Sequence, residues 1–235
     1  FLHYKTGAYS SMAKKVISAV QDVIAKTGGS GTGDGEQFSD PAEWRDTLNH
    51  YIKQQMKSGG ARKHIPVVSG APGIGKTTQA ATVAAEHDLR LIDIDLGEIY
   101  ADDAIGLPIP GARKDDNITV KFSMPKLYHQ IMNKIKAADA AYVAELKKED
   151  PASADRKIKE YEGRRWKYLI FFDELNRVDE KTFNALRRVV LEKNFGAAGD
   201  DDTSLALPKE SIVVAAINPE GGGTTELTDH FRDVI

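Results

Sequence analysis

Eight consecutive residues, Gly70-Ala71-Pro72-Gly73-Ile74-Gly75-Lys76-Thr77, follow the pattern G-x-x-x-x-G-K-T, and they restrict the folds open to this chain more than any other stretch. The pattern works where a buried strand runs into a glycine turn and leaves it as a helix. Backbone N–H groups can then curl around phosphate oxygens with the positive end of the helix behind them. Both flanks comply. Ile65-Pro66-Val67-Val68 is a short β-branched run suited to a strand of a parallel sheet. Residues 77–86 are rich in alanine and free of glycine and proline, which predicts a helix opening directly from the loop. Lys76 is expected to reach the β- and γ-phosphates of a nucleoside triphosphate, and the Thr77 hydroxyl to sit on Mg²⁺. Gly70, Ala71, Pro72, Gly73, Ile74 and Gly75, with Thr78 after them, complete the expected phosphate-binding set. The alternative is a glycine turn that binds nothing, and the flanks weigh against it.

Composition narrows the class further. A chain of 235 residues holds one large α/β domain or a domain with an appendage. A net charge of −3 gives no global reason to expect nucleic acid, although a local basic surface is not excluded. The absence of cysteine rules out disulfides and thiolate zinc sites and suits a reducing compartment, so a cytoplasmic location is expected. No apolar run approaches the ~20 residues of a membrane span.

Along the chain, residues 1–27 are expected to form a helical appendage. Met12, Val16, Ile17, Val20, Val23 and Ile24 lie three and four apart within it. Residues 28–37 read as a flexible glycine-rich linker, and residues 38–235 as the compact core. In that core Asp40-Pro41 starts a helix with the apolar face Trp44, Leu48, Tyr51 and Ile52. Residues 89–96 alternate apolar and acidic side chains as a second strand, residues 105–110 form a rigid turn, and residues 117–122 form a short hairpin. Pro125 opens a long helix to about Lys148, and residues 149–165 read as a solvated helical extension.

The second half of a nucleotide site follows. Tyr168-Leu169-Ile170-Phe171-Phe172 ends in Asp173-Glu174. Open α/β sheets place their ligands at the C-terminal ends of strands. Asp173 is expected to hold the metal, and Glu174 to act as the base that polarises an attacking water. A strand end with an Asp-Glu helix cap is the plainer reading. A third strand at residues 211–217 ends in Asn218-Pro219, whose amide either holds the γ-phosphate or lytic water or only forms the turn.

Together these residues resemble the AAA+ ATPases, and within them the MoxR-like group. Asp173-Glu174-Leu175-Asn176-Arg177 is similar to that group's D-E-[IL]-N-R, Ala216-Ile217-Asn218-Pro219 to its sensor-1 N-P, and residues 102–108 to its D-L-x-G-x-P turn. The resemblance spans about residues 40–235. It implies a three-layer α/β/α core with a five-stranded parallel sheet in the order 5-1-4-3-2, here with a helical insertion. It also implies ATP and Mg²⁺ as ligands, a homo-oligomeric ring of usually six subunits, and remodelling of a protein client. An arginine acting on the neighbouring subunit's γ-phosphate is implied near the end of the helix after sensor 1. Arg232 is the arginine there, a stricter register puts Val234 in that place, and Arg187 and Arg188 are alternatives. The family's helical lid has no counterpart in these residues, so a fragment lacking its lid is expected.

Other readings stay open at this point. A DNA-directed ATPase of the helicase-loader or clamp-loader type, or a nucleotide-switched scaffold with little turnover, would use the same motifs. Residues 117–123 could grip a client or merely connect two elements, and residues 142–165 could bind a partner or be a solvated insertion. Asp93 and Asp95 could form an acidic site. The Asp200-Asp201-Asp202 run reads as a solvated loop. His3, His50, His64, His87, His129 and His230 show no metal-ligand spacing.

Overall fold

The computed structural model describes residues 41–59, 65–114, 117–197 and 204–218. The expected appendage and linker, His3, His64 and His230, the Asp200-Asp201-Asp202 run, Arg232 and Val234 lie outside the described residues.

Helix α1 (Pro41–Ser58) comes first. Strand β1 (Val67–Ser69) follows and feeds helix α2 (Lys76–Glu86) through the glycine loop. Strand β2 (Arg90–Asp95) leads to a short helix α3 (Ala101–Ile105) and to a hairpin of β3 (Pro108–Lys114) and β4 (Asn117–Phe122). Helices α4 (Lys126–Glu149) and α5 (Ala154–Glu162) precede strand β5 (Tyr168–Asp173). A single 3₁₀ turn (Leu175–Arg177) then opens helix α6 (Glu180–Glu192). A second hairpin, β6 (Asn194–Ala197) with β7 (Ser204–Ala206), comes before strand β8 (Ser211–Ile217).

Four strands form one parallel sheet in the order β1-β8-β5-β2. This matches four places of the expected five-strand order, and a fifth strand after β8 would fall outside the described residues. Strands β5 and β8 are buried along nearly their whole length, as a central parallel strand covered on both faces must be. Their side chains divide by parity. Leu169, Phe171, Ile212, Val214 and Ala216 pack with Trp44, Leu48 and Ile52 of α1 and Ala80 and Val83 of α2. Ile170, Phe172, Val213, Ala215 and Ile217 pack with Leu127, Ile131 and Ile135 of α4 and Leu186, Val189 and Val190 of α6. A sheet with helices on both faces is the three-layer α/β/α architecture expected of the sequence.

One expectation changes. Residues 105–110 are only partly a turn: Pro108, Ile109 and Pro110 belong to β3, and the hairpin runs over residues 108–122 rather than 117–122. Prolines survive there because a two-stranded ribbon leaves half its N–H groups unpaired. The charged segment 149–165 is mostly exposed and partly helical, as expected, but gains an anchor that its composition does not show. Tyr161 is buried, and its hydroxyl and that of Tyr168 both donate to Asp139 of α4, the latter at 2.9 Å. Burial pushes the Tyr168 phenol up to about 12, so it remains a donor at neutral pH. The Arg90 guanidinium lies 3.7 Å from the centre of the Tyr142 ring, which ties α4 to the start of β2. The β6–β7 hairpin was not anticipated.

Gly106 terminates α3 with φ +89°, and a Cβ there would lie 2.0 Å from the Ser123 carbonyl oxygen. The strand pair depends on this approach, since Ser123 N–H donates to Leu107 O at 2.8 Å. Gly106→Ala is therefore expected to destabilise the domain by about 2–3 kcal/mol, from backbone strain and overpacking together. Denaturant titration of the two proteins measures this.

Candidate functional site

All four sheet strands point their C-terminal ends to one edge. The glycine loop follows β1, Gly97 follows β2, Glu174 follows β5, and Asn218 follows β8. Residues distant in sequence thus meet without a special device, because parallel strands expose the same end together.

The loop is open and its glycines are placed where the backbone needs them. Gly73 has φ +79° and Gly75 φ +90°, and a Cβ on Gly73 would meet nothing within 4 Å. Gly75 is the N-cap of α2 and has no side chain to cap it, so the first amides of the helix keep their donor capacity for an anion. Lys76 is 7% exposed, and its Nζ donates to Gly70 O at 2.7 Å, Ala71 O at 3.1 Å and Asn218 Oδ1 at 2.5 Å. Burial pushes this ammonium's pKa down, while Asp173 and Glu174 nearby push it back up.

Thr77 Oγ1 donates to Asp173 Oδ2 at 3.1 Å. These are hard oxygen donors beside an anion-binding helix end, which is the chemistry a magnesium ion bound mainly through phosphate and water requires. The donor set fits Mg²⁺. Among the described residues there is no group of three or more His, Asp or Glu able to hold a metal by itself. His50 and His87 are engaged elsewhere, by Gln54 and Asn49 respectively.

Glu174 has the left-handed backbone φ 59°, ψ 35°, which a non-glycine residue adopts at a cost of order 1 kcal/mol or more. That turn takes the chain out of β5 and aims the carboxylate across the sheet edge. Oε1 accepts from Asn218 Nδ2 at 3.1 Å, and Oε2 accepts from Arg177 at 2.8 Å. The Arg177 pair is half-exposed, so it contributes roughly 0.5 kcal/mol and serves to orient the carboxylate. Gly97 lets the carboxylate lie there: a Cβ on it would come within 2.6 Å of Glu174 Oε2.

Of the residues expected from the sequence, Lys76, Thr77, Asp173, Glu174 and Asn218 are brought together. Thr78 lies in the first turn of α2. Asp95 binds the Gly97 N–H at 2.8 Å, and Asp93 lies further down the same face of β2, level with Phe171. Arg187 and Arg188 lie on α6, where Arg188 pairs with Glu192 of its own helix. Gly97, Asn176 and Arg177 also belong to this edge, and local sequence assigns them no role. Asn176 and Arg177 were visible as part of the D-E-L-N-R string, but nothing local in that string says where their side chains go.

A family profile described as "ATPase family associated with various cellular activities (AAA)" matches residues 66–218, well over half of the chain. A search of curated proteins finds no match.

Because the group that a Gly97 methyl would strike is the free end of a side chain, Gly97→Ala should displace the Glu174 carboxylate at little cost to folding. Turnover of ATP is expected to fall by about tenfold or more with the melting temperature nearly unchanged, which paired activity and thermal-unfolding measurements will read. Asp93 gives a pH prediction. Burial raises its pKa, and its Oδ1 has no hydrogen-bond partner. A raised carboxyl pKa means the unfolded chain ionises first. The carboxylate then costs stability above its folded pKa, and that cost disappears as pH falls toward the model-peptide value near 4. Asp93→Asn should be more stable than wild type at pH 7, by a margin that narrows as the pH is lowered; calorimetry across that range tests the sign.

Proposed function

The chain belongs to the AAA family of ATPases, whose profile covers the loop, both carboxylates and Asn218, and from that premise we propose that it is a magnesium-dependent ATP hydrolase of the MoxR-like kind, working as a ring to remodel a protein client. The observation that carries the hydrolytic part is the amide of Asn218, hydrogen-bonded on one side to Lys76 and on the other to Glu174. A single side chain thus lies between the phosphate-binding lysine and the water-activating carboxylate.

In this reading Lys76 exchanges its carbonyl and amide acceptors for β- and γ-phosphate oxygens. The loop amides and the start of α2 hold the remaining phosphate charge. Thr77 and Asp173 hold Mg²⁺ directly or through its waters, and when bound the ion neutralises charge on the transferring phosphoryl group. Glu174 accepts a hydrogen bond from the attacking water and then its proton. Asn218 orients that water or the γ-phosphate. Each Glu174 oxygen accepts one hydrogen bond at present, from Asn218 or from Arg177, and keeps a lone pair with which to accept from a water.

An interaction surface supports the ring and client parts. Tyr100, Ile105, Leu107, Ile109, Phe122 and Met124 are large, exposed and drawn from one segment around α3 and the β3–β4 hairpin. Apolar exposure concentrated in this way marks a surface that meets another protein. Among the described residues no helix is long and apolar enough to cross a membrane. The trans-acting arginine is assigned to Arg232, which lies outside the described residues.

Glu174→Gln is expected to leave ATP affinity within about twofold and to lower turnover by about 10²-fold or more. Unchanged turnover in that variant would remove Glu174 from the role of base. Native mass measurement with and without ATP reads the assembly state, and an active monomer would overturn the ring.

A further inference from the structure

Strand β8 outruns its neighbour. Its register with β5 stops at Phe172 and Ala215, because the left-handed turn at Glu174 carries the chain away. On the other side its register with β1 ends at Ser69 and Ile217, and the loop continues with Gly70 N–H donating to Ile217 O at 3.3 Å. Asn218 is therefore the first residue of this strand beyond both ladders, yet it is only 4% exposed. A buried peptide group without partners would leave a donor and an acceptor unsatisfied, and it would also be free to shift.

The carboxamide of Asn176, itself 3% exposed, fills this gap. Its Nδ2 donates to Asn218 O at 2.7 Å, and its Oδ1 accepts from Asn218 N–H at 3.1 Å. The side chain thus mimics one residue of an adjoining strand, bonding both backbone groups of a single residue. A primary amide is the group that can do so, with one acceptor and one donor at its tip. The Asn218 side chain then works from a fixed backbone, with Lys76 on one side and Glu174 on the other.

We infer that Asn176 is the positioning residue of the hydrolytic site: it acts through Asn218, by holding that residue's backbone where its amide can serve the reacting groups. This rests on the hydrolytic reading given above. It assigns Asn176 no contact with substrate.

The test is a double-mutant cycle in the full chain. Single-turnover ATP hydrolysis is measured in wild type, Asn176→Ala, Asn218→Ala and the double variant, with affinity for a fluorescent ATP analogue and thermal unfolding read on the same samples. Asn176→Ala is expected to slow hydrolysis by about tenfold or more while nucleotide affinity stays within about twofold. Added to Asn218→Ala, the same change should alter the rate by less than about twofold, since nothing remains for it to position. Equal losses in both backgrounds, or an unaltered rate in Asn176→Ala, would overturn the inference. Should Asn176→Ala not fold, Asn176→Asp replaces it in the cycle, keeping the acceptor for the Asn218 N–H and losing the donor to its carbonyl. A wild-type chain that fails to hydrolyse ATP overturns the hydrolytic reading and this inference together, whereas an active wild type with an additive cycle overturns only the inference.

Discussion

A buried ammonium holds this site together. Lys76 brings a full charge into the sheet edge, and three oxygen acceptors, Gly70 O, Ala71 O and Asn218 Oδ1, keep it there. Two of them belong to the loop, and this shapes the loop. With the Gly70 carbonyl turned inward, the planar trans peptide sends the Ala71 N–H the other way. The inward Ala71 carbonyl sends the next nitrogen outward too, and because that residue is Pro72 no donor is stranded there. The third acceptor ties the loop to the end of β8. An interaction confined to one lysine therefore fixes the loop's inner surface and couples it to the strand that ends in Asn218.

The sheet makes that coupling cheap. Its parallel strands bring Ser69, Asp95, Asp173 and Ile217 to one edge, so Glu174 and Asn218 reach the site as the next residues after a strand end and Asp173 as the last residue of its strand. What differs among the four exits is local backbone. Glycines with positive φ open the loop, Gly97 makes room for a carboxylate, and Glu174 accepts a left-handed turn that its side chain makes useful. Backbone strain sits at Glu174, while the surrounding core residues lie in regular strands and helices.

These exits also explain what could be read in advance. The strand–loop–helix unit was legible because phosphate binding constrains contiguous residues, and the Tyr168 to Asp173 strand because five apolar residues in a row suit a buried parallel strand. The layer order followed from the family resemblance and from helices alternating with strands. Gly97 was not legible: its importance lies in the Glu174 carboxylate, which reaches it only after the sheet has formed. Nor was Asn176, whose place beside Asn218 depends on a left-handed turn that no helix or strand propensity encodes. The segment 149–165 is solvated as its composition says, and what could not be read there was its anchor. Its many charges describe a solvated surface, and the Tyr161 that anchors it to Asp139 is a single position within them.

The donors and acceptors running through the site show why its centre is an amide. Arg177 and Lys76 can only donate, and the Glu174 carboxylate accepts from Arg177 on one oxygen and from the Asn218 amide on the other. Between Glu174 and Lys76 the chain needs a group that donates to a carboxylate on one side and accepts from an ammonium on the other. An aspartate in place of Asn218 would set two carboxylates together, and a lysine or arginine would set two cations together. Asparagine meets both demands without adding net charge beside the phosphates. Asn176 repeats the same logic on the Asn218 backbone, donating to its carbonyl and accepting from its N–H. Carrying no charge themselves, the two amides leave the electrostatic balance of the site to Lys76, Asp173 and Glu174.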